Sequence, residues 1–216
     1  GIYKYKNVFG SLPVNGDDPA IDTDFKIGTD ENPPTQKEEI HAENKNSLLT
    51  IENVVHLDDL RGGRIADLLQ KYEETPNAFD DFDLKKAHVG FTTQITLPAQ
   101  LKFSDPSAIS VTGLPQGFSA STVAVNGQTA TVTVNFDNPG QITTIEALKD
   151  AMGALHGEAV ITIQKIAFTE SATADTDYQI DHLTQGVISV DVEKQLGVIV
   201  RPGTPSPACP PTMDDY

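Results

Sequence analysis

Ser121-Thr122-Val123-Ala124-Val125-Asn126-Gly127-Gln128-Thr129-Ala130-Thr131-Val132-Thr133-Val134-Asn135-Phe136 is two runs rich in β-branched residues joined at an Asn-Gly pair. Asn-Gly readily takes the positive φ angles that a two-residue hairpin turn needs, so the stretch predicts two antiparallel strands. Upstream, Val89, Phe91, Thr93, Ile95 and Leu97 face one way along an alternating run that Pro98 ends, as in a half-buried strand. Leu101-Lys102-Phe103 and Ile109-Ser110-Val111 read as short strands after it. Downstream a single helix interrupts the pattern. Thr143 and Glu146 form a capping box, Ile145, Leu148, Met152 and Leu155 line one face, and Gly157 stops it. Strands from Ala159 to Phe168 and from Gly186 to Val192 complete the set, with Val198-Ile199-Val200 a candidate seventh. Turn-punctuated strands at this spacing predict a mainly β fold over residues 89–200, an antiparallel sandwich with Greek-key links and one inserted short helix.

A smaller α+β or arm-like N-terminal segment precedes it. Residues 1–45 are polar and irregular, with dense turn signals at Asn15-Gly16-Asp17-Asp18-Pro19 and Thr29-Asp30-Glu31-Asn32-Pro33-Pro34. Only Ile21, Phe25 and Ile27 alternate there, so the expectation is an extended arm with one or two strands. Residues 46–88 read as a small strand-helix unit packing on the sandwich. Its strand is Ser47 to Ile51, and its helix is capped by Asp58 or Asp59 and runs to Tyr72, with Leu60, Ile65, Leu68, Leu69 and Tyr72 on one face. The Gly62-Gly63 pair weakens the first turn of that helix. Residues 201–216 form a Pro-rich tail, whose composition favours an extended linker.

The 216 residues suffice to bury a core, and 38% hydrophobic with 21% charged is a globular composition. With 31 acidic against 15 basic side chains the net charge is −16, so nucleic acid, a polyanion, is repelled and excluded as a partner. Cys209 is the single cysteine, which rules out a disulfide within the chain and a thiolate zinc site of the usual kind. No signal peptide and no apolar run of about 18 residues is present, so the expectation is a soluble, mature or trimmed chain with no direct membrane insertion.

No nucleophile elbow, phosphate loop, dinucleotide fingerprint or His-Glu-x-x-His run occurs, and the expectation is a non-enzymatic protein without a cofactor. The histidines at 41, 56, 88, 156 and 182 are scattered without ligand spacing and read as plain surface or core residues. Calcium is the one candidate ion, since it takes carboxylate and carbonyl oxygens from a flexible loop. Partial sets are Asp17, Asp18, Asp22 and Asp24; Asp80, Asp81 and Asp83; and Asp175, Asp177 and Asp181, the first and third being the better candidates.

The run from Phe91 to Phe103, with its Leu97-Pro98-Ala99-Gln100-Leu101 link, and Ile109 to Pro115 resembles the immunoglobulin-like modules of bacterial cell-surface adhesins and pilus subunits. The resemblance implies an extracellular, cell-surface location and an adhesive or structural spacer role. The partner would be a protein, a matrix component or another copy of the chain. A structural subunit of a fibre, pilus or virion, using the N-terminal arm for subunit contacts, is the alternative. The resemblance also implies a candidate isopeptide cross-link, for which Lys102 and Lys165 lie inside predicted strands. The last strand, Ser189-Val190-Asp191-Val192, offers Asp191 and no Asn.

Overall fold

The computed structural model describes residues 3–12, 20–37, 39–61, 63–79, 84–137, 142–186 and 189–192. In chain order the first strands are β1 (Tyr3–Ser11), β2 (Ala20–Ile21), β3 (Thr23–Thr29), β4 (Glu39–Ala42) and β5 (Leu48–His56). A 3₁₀ turn (Leu57–Arg61), helix α1 (Gly63–Glu74) and a second 3₁₀ turn (Pro76–Phe79) follow. Then come β6 (Leu84–His88), β7 (Gly90–Thr96), β8 (Leu101–Phe103), β9 (Ile109–Thr112), β10 (Phe118–Asn126) and β11 (Thr129–Phe136). Helix α2 (Ile145–Gly153), β12 (Glu158–Phe168), β13 (Asp177–Gly186) and β14 (Ser189–Val192) complete the order.

The fold is mainly β and sandwich-like. One sheet runs β10-β11-β7-β13-β1-β4, with β2 pairing β13 beyond the end of β1. It is antiparallel except where β1 lies parallel to β13. The other runs β3-β5-β12-β8, with β9 beside β8 on the same edge of β12. β6 and β14 form a separate pair. The inner faces meet in one core: Phe25 stacks on His182 with ring centroids 4.2 Å apart, and Phe168 lies 6.1 Å from Tyr178. Ile51, Val55, Ile161 and Ile163 from one sheet and Phe91, Ile95, Val132 and Ile180 from the other are almost wholly shielded from solvent. That burial supplies most of the driving force, at roughly 25 cal/mol per Å² of apolar surface. Helix α2 adds Ile145, Leu148, Ala151 and Met152 to the same cluster.

The expected segments share these sheets. β3 from the N-terminal stretch and β5 from the strand-helix stretch both pair in the sheet of β12, and β1 sits inside the sheet of β7 and β13. The expected Ser47–Ile51 strand extends to His56, because Asn53, Val54 and Val55 are buried between two neighbouring strands. The expected 58–72 helix is instead a 3₁₀ turn ending at Arg61 and a helix, α1, beginning at Gly63.

The hairpin forms with its turn shifted by one residue. Asn126 pairs with Thr129, leaving Gly127 and Gln128 as the turn, with Gly127 at φ 61. A positive φ at the first turn residue alone marks a type II′ turn, in which glycine belongs there. Gln128 then donates from Nε2 to the carbonyl oxygens of Pro98 (2.7 Å) and Leu101 (2.9 Å), tying the turn to the loop after β7. The cap of α2 is likewise Thr144, not Thr143, its hydroxyl accepting the Ala147 N–H at 3.1 Å. Glu146 therefore falls at the second helical position and cannot close the expected box. Gly157, at φ 79, shapes the turn into β12 instead of ending the helix.

The main surprise is β13, a central strand where the sequence reading placed a calcium cluster. Tyr178 and Ile180 are fully buried while Asp177 and Gln179 are exposed, so the alternation is present, though diluted by acids. The expected Val198–Val200 strand and the 201–216 tail, with Cys209, lie outside the described residues.

Candidate functional site

Each expected acidic set meets a different fate. Asp17, Asp18, Asp80, Asp81 and Asp83 lie outside the described residues. Asp175 takes a left-handed φ of 57 in the turn before β13, and Asp177 and Asp181 are four residues apart along that strand, about 13 Å by strand geometry. Asp181 accepts a hydrogen bond from Gln179 Nε2 at 2.8 Å. Asp22 is exposed, whereas Asp24 is drawn into a group that spacing did not reveal.

That group is Asp24, His56 and Glu158. β5 lies between β3 and β12, so its last residue, His56, has a neighbour on either side of the outer face of this sheet. Glu158, the first residue of β12, is directly opposite His56, and Asp24 on β3 is opposite Val54, one diagonal step away. Opposed Cβ atoms are about 5 Å apart and diagonal ones about 7–8 Å, which long side chains bridge. His56 Nε2 lies 3.1 Å from Asp24 Oδ2 and Nδ1 lies 3.3 Å from Glu158 Oε2. One donor atom from each residue falls within 4.8 Å of the others, making this the candidate metal centre among the described residues. The Leu57 N–H donates to the Gly157 carbonyl at 2.9 Å, holding the strand ends together beneath it. Lys26 is turned to Glu52 at 3.7 Å, which leaves Asp24 to the imidazole.

The lysines of the candidate isopeptide are both exposed. Lys102 points outward between Leu101 and Phe103. Lys165 occupies a bulge of β12, with φ 58, where the register shifts between Ile163 and Ile166. The bulge keeps Ile163, Ile166 and Phe168 inward and throws Lys165 out, where its Nζ lies 3.4 Å from Asp105. The Ser107 hydroxyl and N–H, more than Lys165, hold the Asp105 carboxyl below its usual range. Both side chains stand in solvent, so neither lysine sits in the dry surroundings that an amide-forming attack requires. Asp191 lies on β14, paired opposite Lys86 on β6.

A second histidine makes stability depend on pH. Burial against Phe25 pushes the His182 imidazole below its usual value, with Asp181 opposing in part. The unfolded chain therefore takes up this proton first as pH falls below about 6.5, and stability is lost over that window until the folded imidazole also protonates. His182→Gln is expected to narrow the difference in urea-unfolding free energy between pH 7.5 and pH 5.

The other functional candidate is a surface. β10 is an edge strand that no other described strand covers. Residues 119–124 and 126 are exposed, although Val123 and Val125 stand opposite Val132 and Ala130, whose side chains enter the core. Val123 is 43% exposed, while Val125 is half-buried and packs against the core cluster. The other outermost strands of the two large sheets are shorter or partly shielded. β4, β8 and β9 have three or four residues, and β3 is shielded where Ile27 and Thr35 exchange both backbone hydrogen bonds at 2.9 and 3.0 Å. The sequence carries a signal for the β10 surface: residues 106–136 contain no Asp, Glu, Lys or Arg, in a chain that is 21% charged. No helix among the described residues is long and apolar enough to cross a membrane. No protein-family model, curated protein or solved structure matches the chain.

Proposed function

We propose that this chain is a non-catalytic, extracellular surface module with an adhesive or structural spacer role, which makes contact by adding a strand at β10. The observation that carries the reading is the long, uncharged, open edge of β10. Soluble proteins ordinarily blunt such edges with charge, proline or short length, because unpaired N–H and C=O groups template further pairing. Here the edge residues are Ser, Thr, Ala, Val and Asn, with one bulge between Ala120 and Thr122 as the only guard. Strand addition supplies backbone hydrogen bonds, and the exposed Val123 supplies apolar contact.

The partner chemistry is uncharged and extended, and a second copy of β10 meets it. Over most of its surface a protein of net charge −16 repels its own copies, and the hairpin is where that repulsion is least. Antiparallel pairing about a two-fold axis uses one patch twice and closes. The Ig-like, Greek-key reading is supported by Tyr178, whose hydroxyl donates to the Thr173 carbonyl and accepts the Thr173 N–H at 3.0 Å, resembling the tyrosine corner of such sandwiches. Donation of the N-terminal arm to a neighbour is less favoured, since β1 pairs with β13 and β4 of its own chain.

The test is light scattering over a concentration series. A dimer is expected to appear at high micromolar concentration, because one strand pair buries less than a standard interface. Val123→Lys, placing like charges opposite each other, is expected to abolish it without changing the far-ultraviolet circular dichroism. A monomer at every concentration would discard self-pairing and assign the edge to a foreign strand.

A further inference from the structure

The geometry points to a divalent transition-metal site of the zinc class at Asp24, His56 and Glu158. Three features carry it. First, the three residues come from adjacent strands whose pairing is continuous at this point, so the backbone pre-positions the ligands before any ion arrives. Second, the imidazole is bracketed: Asp24 stands at Nε2 and Glu158 at Nδ1, 3.1 and 3.3 Å away. Each ring nitrogen therefore has a carboxylate oxygen beside it, so a cation that takes either nitrogen finds an oxygen donor at hand. Third, the side chains are partly exposed, 37% for His56, 43% for Asp24 and 57% for Glu158, so an ion has a path in and the carboxylates have room to turn onto it.

The donor set selects the ion. Imidazole nitrogen suits zinc, cobalt and nickel, and two carboxylates complete three protein ligands with a fourth position for water, as in open tetrahedral sites. Calcium needs six to eight oxygens and gains little from a nitrogen donor. One donor atom of each residue lies within 4.8 Å of the others, and coordination at about 2.0–2.2 Å requires the carboxylates to turn toward a common ring nitrogen. The ion would staple β3, β5 and β12 where the three strands end or begin. This site lies on the outer face of a different sheet from β10, so it stands independently of the strand-addition reading.

The experiment is calorimetric titration of the intact protein, in a Cys209→Ser background, with zinc chloride, repeated with cobalt chloride and read by visible absorption. One saturable equivalent is expected, with the cobalt spectrum of a four-coordinate centre. His56→Ala, Asp24→Asn and Glu158→Gln are each expected to weaken binding by about 10-fold or more, since even outer partners of a metal ligand are worth 10–100-fold. The exposed Glu158→Gln keeps the proposal falsifiable if His56→Ala fails to fold. Absence of saturable binding to the folded protein, equal affinity in all three variants, or displacement of zinc by millimolar calcium would each overturn it.

Discussion

Gly90→Ala is expected to cost about 3 kcal/mol of unfolding free energy, at the upper end of what overpacking a well-filled interior does. Gly90 is a buried residue at the start of β7, paired opposite Asn135 on β11. A Cβ there would lie 1.8 Å from the Val134 carbonyl oxygen and 2.9 Å from its carbonyl carbon. Both atoms are backbone, held in the ladder, so no rotamer change relieves the clash and the pairing of β7 with β11 must open. The neighbouring Val89 carbonyl accepts the Phe136 N–H at 3.0 Å, and that bond is expected to be lost with it. In urea, with a slope of about 2 kcal/mol/M, the midpoint should fall by about 1.5 M. Gly153→Ala, at the end of α2 with nothing within 4 Å of the added carbon, is the contrast: it should stabilise by a few tenths of a kcal/mol. Equal midpoints for Gly90→Ala and the unmodified chain would show that β7 and β11 do not approach this closely.

The second large effect separates a ring from its hydroxyl. Tyr178→Ala is expected to lose about 3–5 kcal/mol, the range for removing a buried aromatic ring, and Tyr178→Phe about 1–3 kcal/mol. The ring is fully buried on β13, packed near Phe168 of the other sheet, so truncation leaves a cavity between the sheets that rigid strands fill poorly. The hydroxyl holds the turn before the strand by bonding both the N–H and the carbonyl of Thr173. Phenylalanine keeps the packing and strands those two backbone groups, hence the smaller but definite loss. Denaturation of the two variants side by side checks the split. Equal losses would mean that the hydroxyl's bonds to the turn contribute everything and the ring's packing nothing, and an unchanged Tyr178→Phe would mean the reverse.

The strength of the local signals explains what could be read directly. Val89 to Leu97 and Thr129 to Phe136 alternate cleanly, and each emerged as a strand within a residue or so. The interruption Ile163-Gln164-Lys165-Ile166 in an otherwise alternating run is the visible mark of the bulge that turns Lys165 outward. β13 was hidden because only Tyr178 and Ile180 alternate clearly, while its later residues, Leu183 to Gly186, are buried in succession. Such a strand is stabilised by its neighbours β7 and β1, not by its own pattern. β1 was obscured for a related reason: a parallel partner lies wherever the chain returns, and no short-range turn announces it.

By itself the sequence determined the mainly β character, the hairpin about Gly127, the helix near residue 145, the acidic charge and the impossibility of a disulfide within the chain. These rest on periodicity, turn chemistry and composition, which act within a few residues. Only the tertiary structure decided which strands lie side by side, and with that everything of functional interest. His56 meets Asp24 and Glu158 because β5 runs between β3 and β12, although Asp24 is 32 residues away in the chain. β10 is open because it stands last in the order of its sheet, a fact about long-range pairing that no stretch of residues encodes. Local rules fix what each segment becomes. Sheet order is fixed by long-range pairing and shared burial, and it is sheet order that brings distant side chains to one point or leaves an edge uncovered.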